Sequence, residues 1–281
     1  MPLSVFLVVL LAAALHAGWN ALVKVRLDPF LAMTLIAAAC AIIAAPLLIV
    51  TGLPLSAAWP WLLASTVVHL GYYLFLAQAY RLADMSQAYP IARGAAPLMT
   101  ALASIVFVRD PISFGGALGV ACLGCGVLLI SVKGQRALAP PSLRAVACAL
   151  ATATTICAYT LIDGIGARAS GNAGAYAAAL FTLDGPPMLI LCLWRYGPGG
   201  MKPALKFLAP GLAGGVMSLA AYWIVIWVMT VAPIVLVAAL RETSVLFGVL
   251  IAAVMLKEPA TPIRTIAATL ILAGLLAMRL L

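Results

Sequence analysis

The sequence predicts an all-α membrane protein of ten transmembrane helices arranged as two inverted five-helix repeats, residues 1–137 and 138–281. Three observations carry that expectation. The chain is 66% apolar and 8% charged with a mean hydropathy of +1.19, more apolar surface than a water-soluble fold of 281 residues can hide. Apolar runs of roughly twenty residues recur with short polar breaks, the length a helix needs to cross a hydrocarbon core while satisfying its own backbone. Landmarks of the first half return in order in the second. A transmembrane barrel is excluded, because it would show alternating segments of about ten residues instead of continuous apolar runs.

Taken in order, the predicted spans are Leu3–Val23, Phe30–Val50, Ala58–Tyr80, Ser86–Val108, Ser113–Val132, Leu143–Gly164, Ala173–Trp194, Leu205–Thr230, Val231–Leu256 and Pro262–Leu281. The first run has neither a basic leader nor a small-residue cleavage site and reads as a retained span. Turn residues punctuate the breaks, among them Asp28-Pro29, Thr51-Gly52, Asp110-Pro111, Gly197-Pro198-Gly199-Gly200 and Glu258-Pro259. No break is long enough for a soluble domain. The longest, Lys133 to Ser142, falls where the halves meet.

The internal repeat aligns Trp19 with Tyr159, Pro46 with Pro186, Gly71-Tyr72-Tyr73 with Ala221-Tyr222-Trp223, and Asp110-Pro111 with Glu258-Pro259. Five is an odd number, so the second copy enters the membrane from the opposite side, the inverted plan of secondary transporters. Most of the sixteen Lys and Arg residues lie in the loops after the odd-numbered spans. Basic loops stay in the cytoplasm, which places both termini outside. The net charge of +9 belongs to these loops and to anionic lipid, and no nucleic-acid motif accompanies it.

Ionised groups at membrane depth are expensive and normally face a bundle interior or a watery cavity. Arg241 and Glu242 lie side by side inside the ninth span, and the repeat sets Glu242 against Arg93 of the fourth. At about 1.5 Å per residue each lies one-third of the way in from its own entry face, so the two meet near the midplane. They mark either a substrate site or an ion pair that only joins two helices. Tyr89, Arg93 and Pro97 recur on one face of the fourth span, where Pro90 and Pro97 predict a kink beside a cavity. His69, Tyr72, Tyr73, Tyr159, Trp223 and Trp227 offer aromatic walls with hydroxyl or indole donors, with an interfacial belt as the alternative reading. His16, Trp19 and Asn20 share a face of the first span, lining a cavity or packing helices. Asp184, before Gly185-Pro186-Pro187, stands where the seventh helix is predicted to break or kink; there it would cap a restarted helix or, with Glu242, carry a proton. Gly115-x-x-x-Gly119 and Gly211-x-x-x-Gly215 predict close helix packing.

No catalytic grouping, zinc-ligand spacing or phosphate-cradling loop is present, so neither an enzyme nor a cofactor or metal is expected. The six cysteines, including the Cys122-x-x-Cys125 pair, read as small packing residues within spans.

Leu15-His16-Ala17-Gly18-Trp19-Asn20, Tyr89-Pro90-Ile91-Ala92-Arg93-Gly94, Leu240-Arg241-Glu242-Thr243-Ser244 and Lys257-Glu258-Pro259, in this order on a five-plus-five repeat, resemble the EamA family of the drug/metabolite transporter superfamily. The resemblance implies a multi-pass carrier of the bacterial inner membrane, working as a monomer on a small-molecule substrate such as an amino acid. It implies a central cavity lined by spans one, three, four, six, eight and nine, with five and ten outside it, and cytoplasmic termini, opposite to the charge count. A drug or lipophilic-cation exporter and an accessory subunit of a lipid-modifying or flippase assembly are the other roles it admits.

Overall fold

A computed structural model describes residues 1–23, 27–83, 85–133, 142–248, 250 and 262–280, without the side chains of 21–23, 85–90, 130–133 and 264. The described residues are all-helical, with no strand among them. The helices are α1 (Leu3–Val23), α2 (Pro29–Thr51), α3 (Trp59–Leu82), α4 (Met85–Phe107), α5 (Phe114–Lys133), α6 (Leu143–Ala169), α7 (Ala173–Gly200), the single turn α8 (Lys202–Leu205), α9 (Leu208–Val231), α10 (Ile234–Arg241) and α11 (Pro262–Leu280). Six of these segments are long and apolar enough to cross a membrane: Leu3–Asn20, Pro29–Thr51, Ser56–Leu82, Leu143–Ala169, Ala173–Gly200 and Leu208–Val231. Ile91–Phe107, Phe114–Leu129 and Thr265–Leu280 are shorter apolar helices.

Local chemistry fixes the helix ends. Asp28 caps α2, its Oδ1 accepting from the Phe30 amide at 2.9 Å and the Leu31 amide at 3.3 Å, with Pro29 in the first turn. Ser142 caps α6 and Asn172 caps α7 in the same way. Gly171, at φ 69°, makes the turn between α6 and α7 in a conformation that a Cβ would strain.

Two expectations about breaks are corrected. The seventh helix does not restart at Gly185-Pro186-Pro187; α7 runs through both prolines and leaves helical geometry at Gly197, φ 64°. Neighbouring helices make a proline inside a span tolerable. Here α2 lies close: a Cβ on Gly185 would lie 3.1 Å from the Ala37 carbonyl oxygen, so the two helices are in near backbone contact. Nor is the ninth span a single helix. α10 ends at Arg241, and i→i+3 bonds follow from Glu242 N to Ala239 O at 3.1 Å, Thr243 N to Leu240 O at 3.0 Å and Val245 N to Glu242 O at 3.0 Å. This 3₁₀ stretch puts the charged residues at a discontinuity, a common mark of a functional hinge. Lys257-Glu258-Pro259 lies outside the described residues. The fourth helix, by contrast, is helical throughout, across Pro90 and Pro97.

The most extensive helix contacts are α5 with α11, α3 with α6, α2 with α7 and α1 with α9. The α3–α6 pair is antiparallel, since Gly166 faces Trp61 while Gly71 faces Thr155. Every α10 residue but Leu236 is buried, packed amid α1, α4, α5, α6 and α9. Outward faces are apolar, as at Ile49 (85% exposed) and Trp194 (82%), a surface that lipid covers without cost and water would not.

The glycine pairs are packing devices. A Cβ on Gly119 would lie 2.7 Å from the Gly274 carbonyl oxygen and run into Met278, while Gly211 and Gly215 sit against Leu35 and Ala39 of α2. Gly119→Leu is therefore expected to destabilise by about 1–3 kcal/mol through overpacking of α5 on α11. Thermal unfolding in detergent checks this, with Gly199→Ala, which meets no atom within 4 Å, as the control. Equal melting of the two variants would refute the tight α5–α11 seam.

Candidate functional site

A cavity of about 70 Å³ opens among α1, α2, α3, α6, α7, α9 and α10. His16 and Trp19 line it from α1, Met33 and Ile36 from α2, His69, Tyr72 and Tyr73 from α3, Tyr159 from α6, Phe181 and Asp184 from α7, Tyr222 from α9 and Arg241 from α10. Helices α2 and α7, not expected in the lining, supply part of the wall. Among the described residues α4, α5 and α11 supply none, the side chains of 85–90, Tyr89 among them, lying outside that set.

Aromatic packing holds the wall. The His69 ring stacks on Tyr159, centroids 4.3 Å apart, and Tyr72 and Tyr222 meet Tyr159 edge-on. In α1, Trp19 Nε1 donates to His16 Nδ1 at 3.2 Å, which assigns the proton of a neutral His16 to Nε2. Asn20 turns away, donating to the His16 carbonyl at 2.7 Å.

Three charges stand behind and beside this wall. Arg93 Nε lies 3.1 Å from Glu242 Oε2, an ionic contact whose N–H is not aligned for a hydrogen bond. Arg241 approaches the other Glu242 oxygen at 3.7 Å. All three are buried: Arg93 is 2% exposed, Arg241 4% and Glu242 1%. Two cations share one anion, so the triad keeps a net positive charge. Arg241 brings it to the cavity, its guanidinium 5.8 Å from the Tyr159 ring centroid and 5.7 Å from that of Tyr222. Its Nε has no hydrogen-bond partner among the described residues.

Two further acids are buried here. Asp163 accepts hydrogen bonds from Tyr222 at 2.6 Å and Tyr176 at 3.0 Å. Asp184 sets Oδ2 3.5 Å from His69 Nδ1, and its Oδ1 has no hydrogen-bond partner among the described residues. Asp184 is thus part of the cavity wall, with no helix restarting beside it to cap.

Of the expected site residues, the fold gathers His16, Trp19, His69, Tyr72, Tyr73, Tyr159, Asp184 and Arg241 around the cavity. Arg93 and Glu242 lie behind Arg241. Trp223 packs between the α2 and α7 clusters, and Trp227 is 44% exposed on the outer surface. The Tyr89 side chain lies outside the described residues. Tyr222, one of the eighth span's aromatic residues, lines the cavity too, as do Met33, Ile36 and Phe181, which the sequence did not single out. Asp163 stands one turn past Tyr159 on the same helical face and accepts from Tyr222.

Polar clusters occupy opposite ends of the bundle. At one end Arg168 grips Asp110 through two bonds of 2.8 and 2.9 Å and donates to the carbonyls of Met229 and Ala232, while the Ile234 amide donates to Asp110. At the other, Asp28 accepts from Tyr196 at 3.0 Å and pairs with Arg81 at 3.2 Å. The cavity reaches toward the second end, since Met33 is one turn from the start of α2 and Trp19 one turn from the end of α1. Toward the first end Ile234 packs into the space left by Gly164.

Burial raises the Asp110 carboxyl, but hydrogen bonds from Arg168 and the Ile234 amide, with the Arg168 charge, outweigh it and hold the group below its ordinary range. A depressed carboxylate contributes stability above its unfolded pKa and loses it as pH falls through the folded value. Below the ordinary carboxylate range the wild type is expected to lose about 1 kcal/mol of stability that Asp110→Asn, weaker at neutral pH, has already lost. Melting curves of the two proteins across acidic pH would show their difference shrinking. A constant difference would sink the latch.

Residues 3–132 match the EamA-like transporter family. The match covers α1 to α5 of this multi-pass membrane protein, the EamA-like half that carries His16, His69 and Arg93. A solved crystal structure shares the fold of both halves, with a TM-score of 0.73 at 19% identity over 97% of this chain and 94% of the other. No curated protein matches the sequence significantly.

Proposed function

We propose that the whole chain is a secondary transporter of the bacterial inner membrane that exports small metabolites, amino acids foremost, by alternating access through this cavity. The reading rests on one observation. Beside one cavity lie two buried polar atoms with no hydrogen-bond partner among the described residues, the guanidinium Nε of Arg241 and the carboxylate Oδ1 of Asp184, both on residues of its wall. Unpaired buried polar groups are costly, and a zwitterion supplies a partner to both at once. Tyr72, Tyr73, Tyr159 and Phe181 would then enclose an apolar or aromatic side chain. The aromatic amino acid exporter YddG is a type this arrangement would suit.

The helix contacts support the inverted five-plus-five plan. If spans one to five map onto six to ten, the α1–α9 contact maps onto α3–α6, and the α2–α7 and α5–α11 contacts map onto themselves. The open end is the basic one, which the charge bias assigns to the cytoplasm. The conformation then suits loading from inside, with the Asp110–Arg168 cluster closing the outer end. The carrier would act as a monomer, its cavity complete within one chain.

Counterflow of labelled amino acids into liposomes holding purified protein tests the proposal. Exchange that competing apolar amino acids suppress supports it. No exchange for any proteinogenic amino acid would favour the accessory-subunit role, and exchange of lipophilic cations alone would favour a drug exporter.

A further inference from the structure

We propose that His69 and Asp184 form the proton-exchange site of this carrier, so that one proton enters for each substrate molecule exported. The inference rests on the transport reading above and adds an energy source to it.

The two candidate acids of the sequence, Glu242 and Asp184, have different surroundings. Glu242 lies between Arg93 and Arg241, with one guanidinium at ion-pair distance of each carboxylate oxygen. Among the described residues Asp184 has no arginine or lysine at ion-pair distance, and the one potential cation beside it is His69, at 3.5 Å. The His69 Nδ1 also meets the Ser65 hydroxyl at 3.1 Å, so a neutral ring has a partner too. The pair can thus hold a proton or release it without abandoning His69 Nδ1 in either state.

Other groups facing Asp184 sharpen this. Tyr73 approaches from α3 and Cys40 from α2, both neutral, while Asp163 approaches from α6 with a like charge. Arg241 shares the cavity but is committed to Glu242 and to the faces of Tyr159 and Tyr222. An ionised Asp184 at this depth therefore requires a cation: a proton on the His69–Asp184 pair or the ammonium group of a substrate. The two exclude each other. With the cavity empty, one proton sits on the pair. When a substrate ammonium reaches Oδ1, the O–H or N–H bond holding that proton breaks and the proton leaves to the side then open. On the outside the steps reverse. A zwitterionic substrate leaves and one proton enters, so each cycle moves one net positive charge inward.

The full-length protein in liposomes carrying a pH-sensitive dye in the lumen tests this, with the proteinogenic amino acids offered one by one. Substrate moving down its gradient is expected to drive protons the opposite way, and an imposed pH gradient to drive uphill substrate accumulation. Asp184→Asn should lose proton movement, and any remaining flux should not change with pH. Asp184→Glu should keep coupling with a displaced pH profile, and His69→Gln should displace that profile with smaller loss of flux. Asp184→Glu and the wild type carry the test should Asp184→Asn fail to fold. Amino acid counterflow in the wild type with no proton movement would overturn the inference and leave the transport reading standing. Absence of counterflow for every amino acid would overturn both, and proton-coupled flux in well-folded Asp184→Asn would overturn the assignment to this pair.

Discussion

Replacing Glu242 by glutamine is expected to destabilise the protein by about 3–5 kcal/mol, the cost of leaving buried charges without their counter-ion. Glu242 is 1% exposed and is the anion between Arg93 and Arg241. Removing its charge leaves two guanidinium groups near the centre of the bundle, repelling one another where water does not reach. The damage should centre on the 3₁₀ stretch at Glu242, Thr243 and Ser244, because Arg93 also reaches the Ser244 hydroxyl at 3.5 Å. Thermal unfolding in detergent measures the loss. Arg93→Gln in the Glu242→Gln background should recover part of the stability, because it removes one of the two orphaned cations. If Glu242→Gln melted like the wild type, the triad would not be an energetic unit.

Much of this was legible in the sequence, and what was not has physical causes. The repeat alignment set Arg93 against Glu242, and the fold brings them to 3.1 Å. That worked because charges at membrane depth have few ways to be satisfied. The helix breaks were harder. Pro186 and Pro187 suggest a break when only the backbone is considered, yet α7 stays helical through both where Gly185 packs against Ala37 and Ala41, and no local pattern encodes that. The break after Arg241 has no proline or glycine to announce it. Side-chain direction was the third difficulty. Tyr222 and Trp223 are adjacent, about 100° apart around a helix, and the sequence favoured the larger ring; the fold turns Tyr222 to the cavity and Trp223 to a packing seam. The roles of the two arginines also divided in a way that charge alone does not specify, with Arg93 holding Glu242 from behind and Arg241 facing the cavity.

That division makes the effect of Arg241 opposite in kind to that of Glu242. Arg241→Gln removes the excess cation and leaves Arg93 and Glu242 as a neutral buried pair, so folding should be retained. Transport should not be. If Arg241 Nε receives the substrate carboxylate, losing a buried charge-assisted contact is worth about 2–5 kcal/mol, a fall of about 30-fold to a few thousand-fold in substrate affinity. Arg241→Lys separates charge from shape. Lysine keeps the positive charge but has neither the Nε donor nor the planar face that lies over Tyr159 and Tyr222. It should therefore bind more tightly than the glutamine variant and less tightly than the wild type. Counterflow rates and substrate-induced shifts in melting temperature measure both variants, and the melting temperature without substrate reports the fold. A glutamine variant that folds and transports like the wild type would remove Arg241 from the binding site. One that fails to fold would instead make Arg241, like Glu242, a structural member of the triad, and the carboxylate would need another cation.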